Sequence, residues 1–540
     1  MKYNKIFLMA GLVALTTTSC TDLDVDVHSQ YTEYPSNEIA VEAKMADLYY
    51  HMRGVFGRRF MEAQALASDE YTALAFDGGY YDEGTYANQA YHNSKSDASL
   101  DWYPTIAEGI TKANKIIVDL GGKDAPLATT APARAMRALF HFYLMDSFGD
   151  IPILDYIPED GVEVKRASRK EVAEFIESEL KEIIPALTEE VSANTYGKPT
   201  KWMAEALLAK LYINWAVYTA ESVDKYDAAT TQNPKLADCI SICDDIINSG
   251  KFNLGSMSYH KKFSFDNGPE VEDFIYAMPY DAITQTGMQY QRPRTFKQSK
   301  GMDPSYYGSV LTQSCGGNMV LTPEFADLFT LEGDERNLCV LGGPVYVYDP
   351  VTLKPTSKPF EYKGTQVVFT KDITLKTNEK TGEPEWEKID VGNTTSSYMQ
   401  GYHSIKFFTR GDDYNNGRNQ SNDLPIFRYA DILLTKAEAI VRGGGTGDAK
   451  GLFNQIRDYV HAPLLNATPT LQEIYDERGR EFLDENWRRN DMIRFGHFED
   501  EFFPHYKNNP YASFDKRHRI FPLNDNVLNL NPTWEQNPGY

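Results

Sequence analysis

The chain has 540 residues, and its 77 acidic and 54 basic side chains give a formal charge of −23. That length serves one large unit or several lobes, and 42% hydrophobic with 24% charged residues excludes wholesale disorder. The acidic balance argues against nucleic acid, whose phosphates call for a basic face.

In chain order, Lys2 and Lys5 precede the apolar run Ile6 to Leu15 and then Thr16-Thr17-Thr18-Ser19-Cys20. A membrane-spanning helix needs about 20 apolar residues, so residues 1–19 read as a lipoprotein signal peptide. Small residues running into a cysteine resemble a lipobox, which puts a covalent lipid on Cys20. Thr17 stands where leucine is usual. Residues 20–36 then read as a lipidated tether, opening with the acidic run Asp22-Leu23-Asp24-Val25-Asp26.

Residues 37–254 read as helical. Amphipathic runs cover about 38–54, 102–120, 131–148, 200–219 and 234–249. Ser168-Arg169-Lys170-Glu171 is a capping box, followed by the stripe Val172, Ile176, Leu180, Ile183 and Leu187. Helix hairpins of the tetratricopeptide type suit this region. Residues 255–420 are rich in Gly, Thr, Tyr and Asn and read as loops with short strands, such as Val345–Tyr348. A small helix is expected at Thr322-Pro323-Glu324. From 421 to 540, helices are expected at about 424–442, 448–461 and 470–495, the last opened by the capping box Thr470–Glu473.

HExxH, GxSxG and P-loop motifs are all missing from the sequence. Cys239, Cys243, Cys315 and Cys339 lack zinc-ligand spacing and read as small buried hydrophobes. Asp/Asn-rich loops lack EF-hand spacing, so structural calcium stays open. Glu477, Arg478, Glu481, Glu485, Arg488, Asp491 and Arg494 recur at helical steps among Phe482, Trp487 and Ile493. That pattern reads as a partly buried ion-pair network and not as a catalytic row.

Segments spread along the chain resemble the SusD/RagB family. They are Arg134-Ala135-Met136-Arg137-Ala138-Leu139 with Phe148-Gly149-Asp150-Ile151-Pro152, Arg428-Tyr429-Ala430-Asp431-Ile432-Leu433-Leu434, Glu477 to Gly496, and the closing Gln536-Asn537-Pro538-Gly539-Tyr540. Asn486 stands where the family usually has Gly, and Leu523-Asn524 where it has Ile-Pro. The resemblance implies a mostly α-helical SusD-like fold with tetratricopeptide-type hairpins and a loop-borne ligand site. It implies a surface-exposed outer-membrane lipoprotein that caps a SusC-like TonB-dependent transporter as a lid and delivers captured oligosaccharides. It implies no catalysis and no cofactor beyond the lipid. The acidic run after Cys20 is similar to the surface-export signal of Bacteroidota lipoproteins. Three readings stay open beside it: peptide cargo, a surface glycosidase, and a lid without ligand affinity of its own.

Sugars present apolar C–H faces and a hydroxyl rim, so aromatic platforms with polar neighbours on loops are the expected tools. Candidate glycan-binding residues are Tyr80, Tyr81, Asp82, Tyr86 and Asn88 in one Gly/Tyr-rich segment. Tyr290, Arg292, Tyr306 and Tyr307 come from a second, and Trp386 from a charged loop.

Overall fold

The computed structural model describes residues 37–79, 85–96, 100–159 and 161–540. The chain divides into two units, Met1–Met45 and Ala46–Tyr540. In the first, residues 37–45 are helical, within the helix Asn37–Tyr49.

In the second unit, helices start where side chains answer the free amides of the first turn. Ser168 and Glu171 close a reciprocal capping box on Arg169–Ile183, and Thr470 with Glu473 closes another on Leu471–Glu481. Thr200 caps Lys201–Ile213, and Thr322 caps Pro323–Ala326. Tyr103–Asp119, Leu127–Phe148, Arg169–Ile183, Lys201–Ile213 and Leu236–Asn248 follow one another as stacked helix hairpins. Trp102, Phe140, Phe142 and Phe148 are buried among them. Cys239 and Cys243 are buried free thiols on Leu236–Asn248.

Short strands interlock the chain. Tyr71–Ala73 pairs antiparallel with Met319–Leu321, and Phe274–Met278 pairs antiparallel with Leu424–Arg428. Among the described residues each strand has a single partner, so the sheets are two-stranded. The loop-rich stretch has its own core, in which Phe296, Tyr306, Tyr307, Phe360, Phe369 and Phe408 pack together.

Two expected helices are corrected. The 424–442 run begins as the strand Leu424–Arg428, and the helix starts at Tyr429. The 470–495 run is two helices, Leu471–Glu481 and Arg488–Phe495. Between them Asp484 and Asn486 take left-handed φ values of 65° and 67°. Asn tolerates that conformation better than most side chains, which is how it stands in for the family's Gly. Asn524, at the other departure, caps the helix Asp525–Leu530.

The patterned charges do form a buried network. Glu477 holds Arg336 and Arg457, each at 2.7 Å. Arg428 bridges Glu481 and Glu485 at 2.8 Å, and Arg494 joins Asp491 at 2.6 Å to Glu438 at 2.8 Å. All nine side chains are buried, so the network fixes the mutual placement of four chain segments at a desolvation cost. No helix of the described residues is long and apolar enough to cross a membrane.

Candidate functional site

The segment after Tyr71–Ala73 turns at Asp77 and Gly78, and the next described element is the helix Thr85–Ala90. One carboxylate fixes its root. Asp390 accepts from the backbone amides of Asp77, Gly78 and Gly392 at 3.0, 2.7 and 2.8 Å. Lys376 Nζ lies 2.9 Å from both the Asp390 and the Asp77 carboxylate. Burial pushes the Asp390 carboxyl up, but Lys376 and the amides outweigh it and leave it below the usual carboxylate range. Backbone bonds add to this: Ala75 N–H donates to Ile389 O at 3.1 Å and Val391 N–H to Ala75 O at 3.0 Å. Asp77 adopts φ 60° and Gly78 φ 76°, a left-handed turn suited to these two residue types.

Beside this root lies an aromatic patch. Trp386 opens the single 3-10 turn Trp386–Lys388, with its ring 5.8 Å from Phe503 and 5.8 Å from Tyr506. Phe503 is buried beneath, Trp386 is half-buried and Tyr506 is 45% exposed. Tyr91 donates its hydroxyl to the Trp386 carbonyl and stacks on the exposed Tyr511 at 6.1 Å. Phe76 meets Tyr398 at 5.3 Å, and the Lys297 ammonium lies 4.3 Å above the Phe76 ring. Phe76, Tyr91, Val391 and Phe503 form one buried cluster with Trp386 and Tyr398 at its edge. The patch therefore offers the partly exposed Trp386 and Tyr506 rings, meeting edge to face over buried Phe503, with ammonium and carboxylate groups nearby. That geometry suits a planar apolar face with a polar rim.

The structure thus brings Trp386 beside the root of the first candidate segment. Asn88 is half-buried on Thr85–Ala90, while Tyr80, Tyr81, Asp82 and Cys20 lie outside the described residues. Four candidates need correction, because their rings are packed inside. Tyr86 is buried, as are Tyr290, Tyr306 and Tyr307. Tyr307 donates to Gln291 Oε1 at 2.8 Å, Tyr306 packs edge-on against Phe360 at 5.4 Å, and Tyr290 packs against Phe407 at 5.2 Å. A ring enclosed on every side has no face for a sugar. Arg292 is half-buried and donates to Gln289 at 3.1 Å. Burial, with Arg58 and Arg418 close by, brings its pKa down to about 10.

Tyr398, Tyr506, Tyr511, Lys297 and Asp390 were not singled out from the sequence. The stretch Phe502-Phe503-Pro504-His505-Tyr506-Lys507-Asn508-Asn509-Pro510-Tyr511 carried the usable signal, the same mixture of aromatics, Asn and Pro that marked the other loops. Among the described residues, no group of three or more His, Cys, Asp or Glu is arranged to hold a metal ion.

A helical-repeat scaffold that carries aromatic side chains on its loops is a ligand-binding architecture. Comparison with known proteins agrees. Residues 272–540 match the model of the SusD family, and residues 23–213 match a family described as starch-binding and associating with the outer membrane. The chain belongs to the SusD/RagB family. It is 24% identical to the starch-binding protein SusD of Bacteroides thetaiotaomicron, over 100% of this chain and 99% of that one. Among solved structures, a SusD superfamily protein of Parabacteroides distasonis superposes with a TM-score of 0.70 at 20% identity, covering 94% of this chain and 100% of that one. Surface glycan-binding protein A of Bacteroides thetaiotaomicron, in complex with laminarihexaose, gives 0.64 at 17% identity, covering 93% and 99%. At these identities the superpositions speak to the shared fold.

Proposed function

We propose that the protein is an outer-membrane surface lipoprotein, anchored through Cys20, that captures an oligosaccharide on the Trp386–Tyr506 patch. It delivers this cargo, as a lid, to a SusC-like TonB-dependent transporter, and it makes and breaks no bond itself. The observation that carries the reading is the pairing of half-buried Trp386 with exposed Tyr506 at the anchored root of the 77–88 segment. Tyr80, Tyr81, Asp82 and Asn88 belong to that segment and complete the proposed site.

Cargo follows from chemistry. An exposed ring face takes the C–H face of a pyranose, and Lys297, Lys376 and Asp77 supply donors and acceptors to the hydroxyl rim. Relatives named for starch and solved with laminarihexaose put glucans first among the sugars to try. The test is affinity electrophoresis of the chain from residue 27 through gels containing starch, laminarin, other plant and microbial polysaccharides, or none. Retardation by one class, without release of labelled product, is expected. Retardation by none, with binding displaced only by a peptide pool, would overturn the glycan reading.

A further inference from the structure

The helix Lys201–Ile213 buries a carboxylate with no partner. Glu205 is 2% exposed, and its Oε2 is enclosed without a hydrogen-bond partner among the described residues. Neighbouring lysines are engaged elsewhere. Lys201, one turn earlier, holds Glu189 at 2.7 Å, while Lys181 and Lys235 both hold Glu177, at 2.7 and 2.6 Å. An enclosed, ionised carboxylate without counter-charge is costly, so it is either neutral or answered by something that enters from outside. Burial raises this carboxyl, Lys201 pulls it down and Asp245 and Glu189 push it up, which together leave it at about 7.

Something can enter. Glu205 lines a cleft of about 230 Å³ bounded by its own helix, the helix Leu236–Asn248 and the turn Ile184–Ala186. Ile184, Pro185, Leu208 and Ile242 give it apolar walls, and exposed Asp238 and Asp245 stand at its margin. Lys181 and Tyr212, also at the cleft, are committed to Glu177. Apolar walls that lead to an unanswered carboxylate match a methylene stem ending in an ammonium, since such side chains bury the stem and present the charge. The donor set does not suit a metal ion, because no three of these carboxylates are grouped to ligate one.

We propose that this cleft binds a protonated alkylamine, its stem against Ile184, Leu208 and Ile242 and its ammonium paired with Glu205 and Asp245. The ligand class has two sources, a lysine side chain of a protein partner and a free diamine. Binding strengthens as pH rises through about 7, where Glu205 ionises.

The test is a carboxylate NMR titration of the full chain carrying ¹³Cδ-glutamate, with Nα-acetyl-lysine methylamide or cadaverine as probes. Glu205→Gln assigns the signal and keeps the shape of the site. Either probe is expected to lower the Glu205 midpoint by about one unit or more, as a nearby opposite charge does. Glu205→Gln is expected to weaken probe binding about tenfold or more, and Asp245→Asn, at an exposed position, less. A response to both probes supports a general alkylamine site, and a response to the lysine probe alone assigns it to a protein side chain. A Glu205 signal that neither probe moves, or equal probe affinity in wild type and Glu205→Gln, would overturn the proposal.

Discussion

The side-chain amide of Asn486 donates to the phenol oxygen of Tyr290 across 2.8 Å. The bond ties the left-handed break in the C-terminal helix pair to the loop-rich stretch, and it uses a ring that the sequence offers as a sugar platform. Tyr290→Phe is therefore expected to cost about 1–2 kcal/mol of stability in urea unfolding. Glycan retention by the folded protein should stay unchanged. Loss of retention at full stability would instead make Tyr290 a ligand contact.

Asn486→Gly is a milder change at the same spot. It removes one hydrogen bond but relaxes a positive φ of 67°, effects of about 1 kcal/mol each and opposite sign. Unfolding midpoints within a few tenths of a molar of wild type in urea are expected. A large drop would show that Asn486 does more than occupy a Gly position.

How much of this was legible in the sequence depends on the range of the interaction that decides each element. Capping at Ser168 and Thr470 is local, and both helices start where the sequence places them. The charge row from Glu477 to Arg494 carried its burial in the interleaved Phe482, Trp487 and Ile493. The break between 481 and 488 lacked a Gly or Pro to announce it, because Asp484 and Asn486 take the left-handed turn themselves. Leu424–Arg428 is a strand only because Phe274–Met278 lies alongside, a pairing across about 150 residues. The same holds for tyrosines. Tyr306 and Tyr506 sit in similar loop sequence, and only distant partners decide that the first is enclosed and the second exposed.

Asp390 holds the root of the 77–88 segment through Asp77, Gly78 and Lys376. Asp390→Ala removes all of these acceptors at once. Faster amide hydrogen exchange at Ala75, Asp77 and Gly78 is expected, with weaker glycan retention. Exchange unchanged at those amides would show that the turn stands without its carboxylate.

Glu477 is enclosed by Arg336, Arg457 and Arg480. Burial pushes its carboxyl up, but the arginines prevail and bring it down to about 2, from an ordinary 4.5. A depressed carboxyl stabilises the folded state above its unfolded pKa, and the gain fades as pH falls from 4.5 towards 2. The shift corresponds to about 3 kcal/mol. Glu477→Gln should therefore lower stability by about 3–5 kcal/mol at neutral pH, and its deficit against wild type should narrow as pH falls below 4.5. Thermal melts across that range check this; a deficit constant with pH would contradict it.

The central claim is that Trp386 and Tyr506 form the cargo platform. The most direct measurement is isothermal titration of the chain with the oligosaccharide of whichever polysaccharide retards it, beginning with laminarihexaose, in wild type, Trp386→Ala and Tyr506→Ala. Loss of an aromatic platform is expected to weaken binding by about 1–3 kcal/mol, roughly five- to 150-fold, while Tyr506→Ala leaves the melting temperature close to wild type. Wild-type affinity in both variants would contradict the claim and place the cargo elsewhere on the protein.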